Sequence, residues 1–199
     1  MRVVGGDDCD AAQVKEGLVD RITVTEERLE RLAREEGHWA RSGFVGARVL
    51  FERTGRIEAL VARIASYDEE TGARLAYEHY DGYLNGFVRS LRAWQQGNEF
   101  GARLQAAESL TCLVKALFAL ERRVAPYHDR LVGPALDALA GQGWRPGELE
   151  RTLLELARSA APAAQQALEA RVEALMESRG VRAHAEWGEQ LERLKAARF

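Results

Sequence analysis

The chain has 199 residues, 46% of them hydrophobic and 30% charged, enough apolar material to bury a core, which excludes a chain disordered throughout. Its 28 Lys and Arg against 31 Asp and Glu leave a formal net charge of -3, so no global field draws it to nucleic acid or to an anionic membrane, and any phosphate site has to be local. Cys9 and Cys112 are far apart, which argues against a disulfide framework. With no apolar run of roughly 20 residues and no basic-then-apolar start, a cytoplasmic protein with no membrane span is expected.

Residues 18–24 alternate in a β-branched run, with Leu18, Asp20, Ile22 and Val24 on one face, so Asp20 shares its side with three apolar neighbours. Thr25 then offers an N-cap hydroxyl, Glu26 and Glu27 complement the helix dipole, and Leu29 with Leu32 gives a short apolar stripe. A second strand is predicted at 47–51. After Thr54-Gly55 a helix follows, with Ile57, Leu60, Val61 and Ile64 at helical spacing.

Beyond residue 67 only helices are predicted. One runs over 69–96 and ends at Gly97-Asn98, which suits a left-handed C-cap. The next runs over 100–123, with Leu104, Ala107, Leu110, Val114, Leu117 and Phe118 as its buried stripe and Pro126 beyond its end. Shorter helices are expected at 134–140, 147–159, 162–178 and 181–198, with Pro162 in a first turn. The expected fold is thus mostly α (α+β), a helical bundle over 68–199 preceded by a small, incomplete β-containing segment over 1–67.

Few residues are placed to do chemistry. Gly5-Gly6 followed by Asp7, Asp8 and Asp10 reads as a hairpin turn, because three carboxylates repel a phosphate unless a divalent metal sits between. Arg123 and His128 have the spacing of HEPN ribonucleases, although Pro126 interrupts the helix between them. His38, His79 and His184 have no partner at metal-clamp spacing and read as surface residues, and the four tryptophans read as packing near helix ends.

The two long helices carry more. Asp81, Asn85, Arg89 and Arg92 form a polar ridge on the first; Glu108, Cys112 and Lys115 form one on the second. Glu108 has Ala106, Ala107, Leu110 and Thr111 for neighbours. It is expected to be partly desolvated near Lys115, the setting either of a general base or of a structural ion pair.

DGYLNGFVRSLR and RLQAAESLTCLVKALFALERRVAPY together resemble the helical substrate-binding domain of nucleotidyltransferase-fold proteins of the kanamycin nucleotidyltransferase kind. EGLVDRITVTEERLERLA and GARVLFERTGRIEALV resemble parts of their catalytic domain, so the resemblance covers most of residues 14–131. It implies that Asp20 is the third metal-binding carboxylate, that Glu108 is the base for the acceptor hydroxyl, and that Asp81, Asn85, Arg89, Lys115 and Tyr127 hold a small polar acceptor. It also implies Mg2+ and a nucleoside triphosphate. The family's Gly-Ser turn with its Asp-x-Asp pair is absent, and one carboxylate of three leaves the cation undercoordinated. The expectation is therefore a shortened or degenerate relative, or one whose nucleotide-binding half comes from another polypeptide. The alternative is a non-catalytic helical interaction protein, in which sheet edges left open by missing strands pair with a second copy or a partner.

Overall fold

The computed structural model describes residues 2–4, 13–16, 19–34, 37–131 and 133–199, with side chains from residue 22 onward except that of residue 140. Gly5, Gly6, Asp7, Asp8, Cys9, Asp10 and Leu18 lie outside the described residues, as does the side chain of Asp20. Two compact units divide the chain, Met1–Tyr67 and Asp68–Phe199.

In the first unit the β-branched run forms β3 (Val19–Thr25), flanked by β1 (Arg2–Val4) in parallel and β2 (Gln13–Glu16) antiparallel, in the order β1-β3-β2. Asp20 stands opposite Lys15 in that register. The Thr25 hydroxyl accepts from the Arg28 N–H at 3.2 Å and starts α1 (Glu26–Arg34). Val24, Leu29 and Leu32 pack with Leu60 and Ile64 of α3 (Arg56–Ile64), which closes a small core. Arg41, on the short α2 (His38–Ser42), is 4% exposed. Its guanidinium donates to the carbonyls of Arg63, Ile64 and Ser66 and lies over the Tyr67 ring, so a buried charge caps the C-terminus of α3. The strand expected at 47–51 is not formed. Residues 47–52 are irregular, and Leu50 and Phe51 are 88% and 80% exposed; apolar side chains alone do not make a strand where no ladder partner is offered.

The second unit is built on one long hairpin. Asp68 accepts from the Thr71 N–H at 2.7 Å and caps α4 (Glu69–Gln95), and that bond holds its carboxyl below the usual range. Gly97, at a φ of 71°, turns the chain, and Asn98 caps α5 (Glu99–Leu120). α6 (Gly133–Asp137), α7 (Glu148–Ser159), α8 (Pro162–Ser178) and α9 (Gly188–Ala196) complete the unit.

Glycines set how closely α4 and α5 pack. A Cβ built on Gly86 would stand 2.7 Å from the Ser109 Cβ, and one on Gly82 would stand 3.1 Å from the Cys112 Sγ. The face of α5 turned inward is therefore the small one. Ala102, Ala106, Ser109, Leu113, Ala116 and Leu117 are buried, whereas Leu104 is 51% exposed and Ala107 is exposed. The stripe read from hydrophobicity was rotated relative to this face: its Val114, Leu117 and Phe118 are buried, but its Leu104 and Ala107 are not.

One clamp fixes the break before α7. Arg171 stacks on the ring of buried Trp144 at 3.7 Å, donates to both oxygens of Glu148 and to the Gly143 carbonyl, and so ties α8 to the first turn of α7. Those Arg171 bonds, with the Arg145 N–H, lower the Glu148 pKa from 4.5 to about 2. The pair's contribution is present above pH 4.5 and is lost as pH falls through about 2. Glu148→Gln is accordingly expected to leave a thermal melt that declines less steeply than wild type over that acid range; parallel declines would show that the pair adds nothing.

Candidate functional site

The close approach of α4 and α5 leaves only the shallow outer groove that lies between two packed helices, and at Gly82 the Cys112 Sγ takes the place a side chain would fill. Gly82 is half-buried against Cys112. The hairpin register sets His79 level with Lys115, and Asn85 and Arg89 level with the turn that carries Gln105 and Glu108. Asn85 and Arg89 are exposed, and the Arg89 Nε donates to the Asn85 Oδ1 at 3.0 Å. Glu108 is exposed and accepts from the Gln105 Nε2 at 3.1 Å.

That exposure corrects the expectation of a desolvated Glu108. Its small neighbours Ala106 and Ala107 do not surround it, because Ala106 faces inward to the hairpin seam while Glu108 points outward. Its carboxylate is hydrated.

Lys115 is half-buried, and its charge reaches two neighbours. His79, read from the sequence as a surface residue, is half-buried; burial pushes its pKa down, Lys115 adds to that and Glu78 opposes it. Burial pushes the Cys112 thiol up, against Lys115 and a bond from Thr111. His79 is thus held neutral and Cys112 as a thiol near pH 7.

Two other expected ligand residues are engaged elsewhere. Asp81 continues the Asn85–Arg89 ridge, but its Oδ1 accepts from the Trp187 Nε1 at 2.7 Å. Tyr127 is half-buried in the loop after α5, where Arg130 stacks on its ring at 5.5 Å. Arg123 lies over Phe118, and His128 is exposed in the turn His128–Arg130, with buried Val124, Ala125 and Pro126 between them.

No family model, curated protein or solved structure matches this chain. Among the described residues no group of three His, Cys, Asp or Glu side chains converges to hold a metal ion. No helix among the described residues is long and apolar enough to cross a membrane.

Sequence reasoning missed a second cluster, on the other side of α4. Glu169 of α8 is 0% exposed; its Oε1 accepts from the Tyr80 hydroxyl at 3.2 Å. Its Oε2 and the buried Tyr83 hydroxyl have no hydrogen bond of good geometry, yet they lie close enough to affect each other's ionisation. Burial pushes Glu169 up to about 8, opposed by Lys195 and both phenols and assisted by Glu173; both tyrosines are raised in turn. Tyr80, Tyr83 and Phe87 stack in a row at 6.2 and 6.4 Å. Beside them, Tyr83, Phe87, Ser109, Leu156, Gln165 and Leu168 line a crevice of about 10 Å³, the space of a single water molecule. The signal was present in α8, where Gln165, Leu168, Glu169, Val172 and Met176 follow one helical stripe and all are buried.

Proposed function

We propose that the helical unit is a recognition module whose α4–α5 groove binds a small polar molecule bearing amines or hydroxyls. The observation that carries this is the row of exposed polar groups along the outer side of the hairpin: the Glu108 carboxylate and Asn85 amide as acceptors and Arg89 as a donor, with half-buried Lys115 as a second cation. Mixed donors and acceptors suit a ligand that carries both, and the groove's openness suits a polar, hydrated one rather than an apolar one. The resemblance to nucleotidyltransferase-fold proteins supports this reading, since their helical domain holds the acceptor. Glu108 would then bind the acceptor and draw on its hydroxyl proton. Transfer of a nucleotidyl group would require the two carboxylates of the absent motif, from another polypeptide, together with Asp20 and Mg2+. The cytoplasm is the proposed location.

Thermal shift with polyamines and aminoglycosides, and separately with a nucleoside triphosphate plus magnesium, tests it. A bound ligand at a hundredfold over its Kd stabilises by about 2.7 kcal/mol, and Glu108→Ala or Lys115→Ala is expected to abolish that gain without lowering the melt of the free protein. No shift with any of these ligands, or equal shifts in the variants, overturns the groove.

The interaction-protein reading has its own supporting observation in Phe100 and Leu104. They are 78% and 51% exposed and four residues apart on the first turns of α5. A concentration-dependent dimer that Phe100→Ser abolishes would favour it.

A further inference from the structure

The Glu169 cluster lies outside the groove and plays no part in ligand recognition there. Three helices meet on it. α4 contributes Tyr80 and Tyr83, α8 contributes Glu169 and Glu173, and α9 contributes Lys195, whose ammonium donates to Glu173 and to Glu192. Burial alone would lower the Lys195 pKa, but its bonds to Glu173 and Glu192 outweigh that and leave it raised, so it is the fixed cation of the group. Glu177 adds a further negative charge near Tyr80.

α9 is the lightest of the three elements. It is nine residues long and buries only Leu191 and Leu194. The Gln166 Nε2 holds its C-terminal end through the Leu194 and Ala197 carbonyls, and the Trp187 bond to Asp81 holds its N-terminal end. An element with few buried side chains opens more readily than the long hairpin beneath it.

We infer that Glu169 is a proton-operated catch for a C-terminal strap formed by Trp187 and α9: the strap is shut while the carboxyl keeps its proton, and lifting it hydrates the carboxyl and releases that proton. In the shut form the protonated carboxyl accepts from Tyr80, and its second oxygen and the Tyr83 hydroxyl are buried without a side-chain or backbone partner in hydrogen-bond geometry. In the lifted form water reaches Glu169, which ionises as an ordinary glutamate does. Because shut Glu169 titrates near 8 and hydrated glutamate near 4.5, opening becomes easier as pH rises between those values and levels off above them. Lifting also takes Trp187 off Asp81 and returns that carboxylate to the ridge of Asn85 and Arg89. This last consequence, control of the groove, rests on the acceptor-binding reading; the catch does not.

Hydrogen exchange of the α9 amides in the full-length protein, corrected for the intrinsic pH dependence of exchange, tests the catch. Protection is expected to fall about tenfold per pH unit between roughly pH 5 and 8 and to level off above that, while Glu169→Gln shows a flat profile. Equal falls in both proteins, or no fall in either, overturn it. A second measurement needs no variant: the Glu169 carboxyl carbon followed by NMR is expected to titrate near 8, and a midpoint below about 6 would also end the proposal. Ligand titrations at pH 5.5 and 8 then separate the two ideas. A working catch with no ligand response at either pH removes the groove and leaves the catch standing.

Discussion

Replacing Glu169 by glutamine is expected to stabilise the protein at neutral pH, an unusual direction for a change at a position that is 0% exposed. The wild-type carboxyl ionises near 8 when folded and near 4.5 when unfolded. Its folded pKa is the higher one, so its favourable contribution is complete below pH 4.5 and is lost as pH rises towards 8. At pH 7 most of that loss has occurred, on the order of 3 kcal/mol, because unfolding releases a proton that the folded chain must retain. Glutamine keeps the shape and has no proton to release. Its carbonyl can accept from Tyr80, and its amide can donate towards the orphaned Tyr83 hydroxyl. The expected gain is roughly 10 °C in Tm at pH 7, shrinking to a small difference near pH 5. Glu169→Leu is expected to gain less, since both phenols would then be buried without an acceptor. A glutamine variant that melts at or below wild type at pH 7 would show that the folded carboxyl is already ionised and adequately paired.

A buried acid held where an amide would fit is a candidate for some demand other than stability. The strap provides one, since a group whose proton is released on opening links a conformational change to pH. It also accounts for Asp81, which the sequence places among ligand-binding residues and which the structure shows bonded to Trp187.

How much of this could be read in advance depended on the kind of signal. α4 and α5 were legible because a left-handed glycine, Gly97, separates two long periodic runs, and α8 because Pro162 marks its first turn. The predominance of helix after a small strand segment followed from the same punctuation. The inner face of α5 was not legible. Its run has apolar residues on every side, and the choice of face lay with Gly82 and Gly86 on the other helix, where a seam without side chains accepts Ala106 and Ser109 but has no room for Leu104. The misplaced expectation about Glu108 followed from that rotation. Glu169 was missed for the opposite reason: it has the phase of a core position and the chemistry of a surface one, and the chemistry was allowed to decide.

The seam itself carries the second large prediction. Gly86→Ala is expected to destabilise the helical unit by about 1–3 kcal/mol, although alanine is the better helix former by nearly 1 kcal/mol. The new Cβ would meet the Ser109 Cβ at 2.7 Å, the Ser109 Cα at 2.9 Å and the Gln105 carbonyl oxygen at 3.0 Å. Two of those three atoms are backbone, so no rotamer change relieves the clash and α5 has to move away from α4 along its length. Gly82→Ala differs in its neighbour. There the closest atom is the Cys112 Sγ at 3.1 Å, the end of a side chain that can rotate, and the helix-propensity gain is expected to bring the net change close to zero. Ser109→Gly in the Gly86→Ala background would remove the closest of the three contacts and leave the other two, so partial recovery is expected. Denaturant melts of the three variants decide the matter. If Gly86→Ala proves neutral, the helices are not held at this spacing.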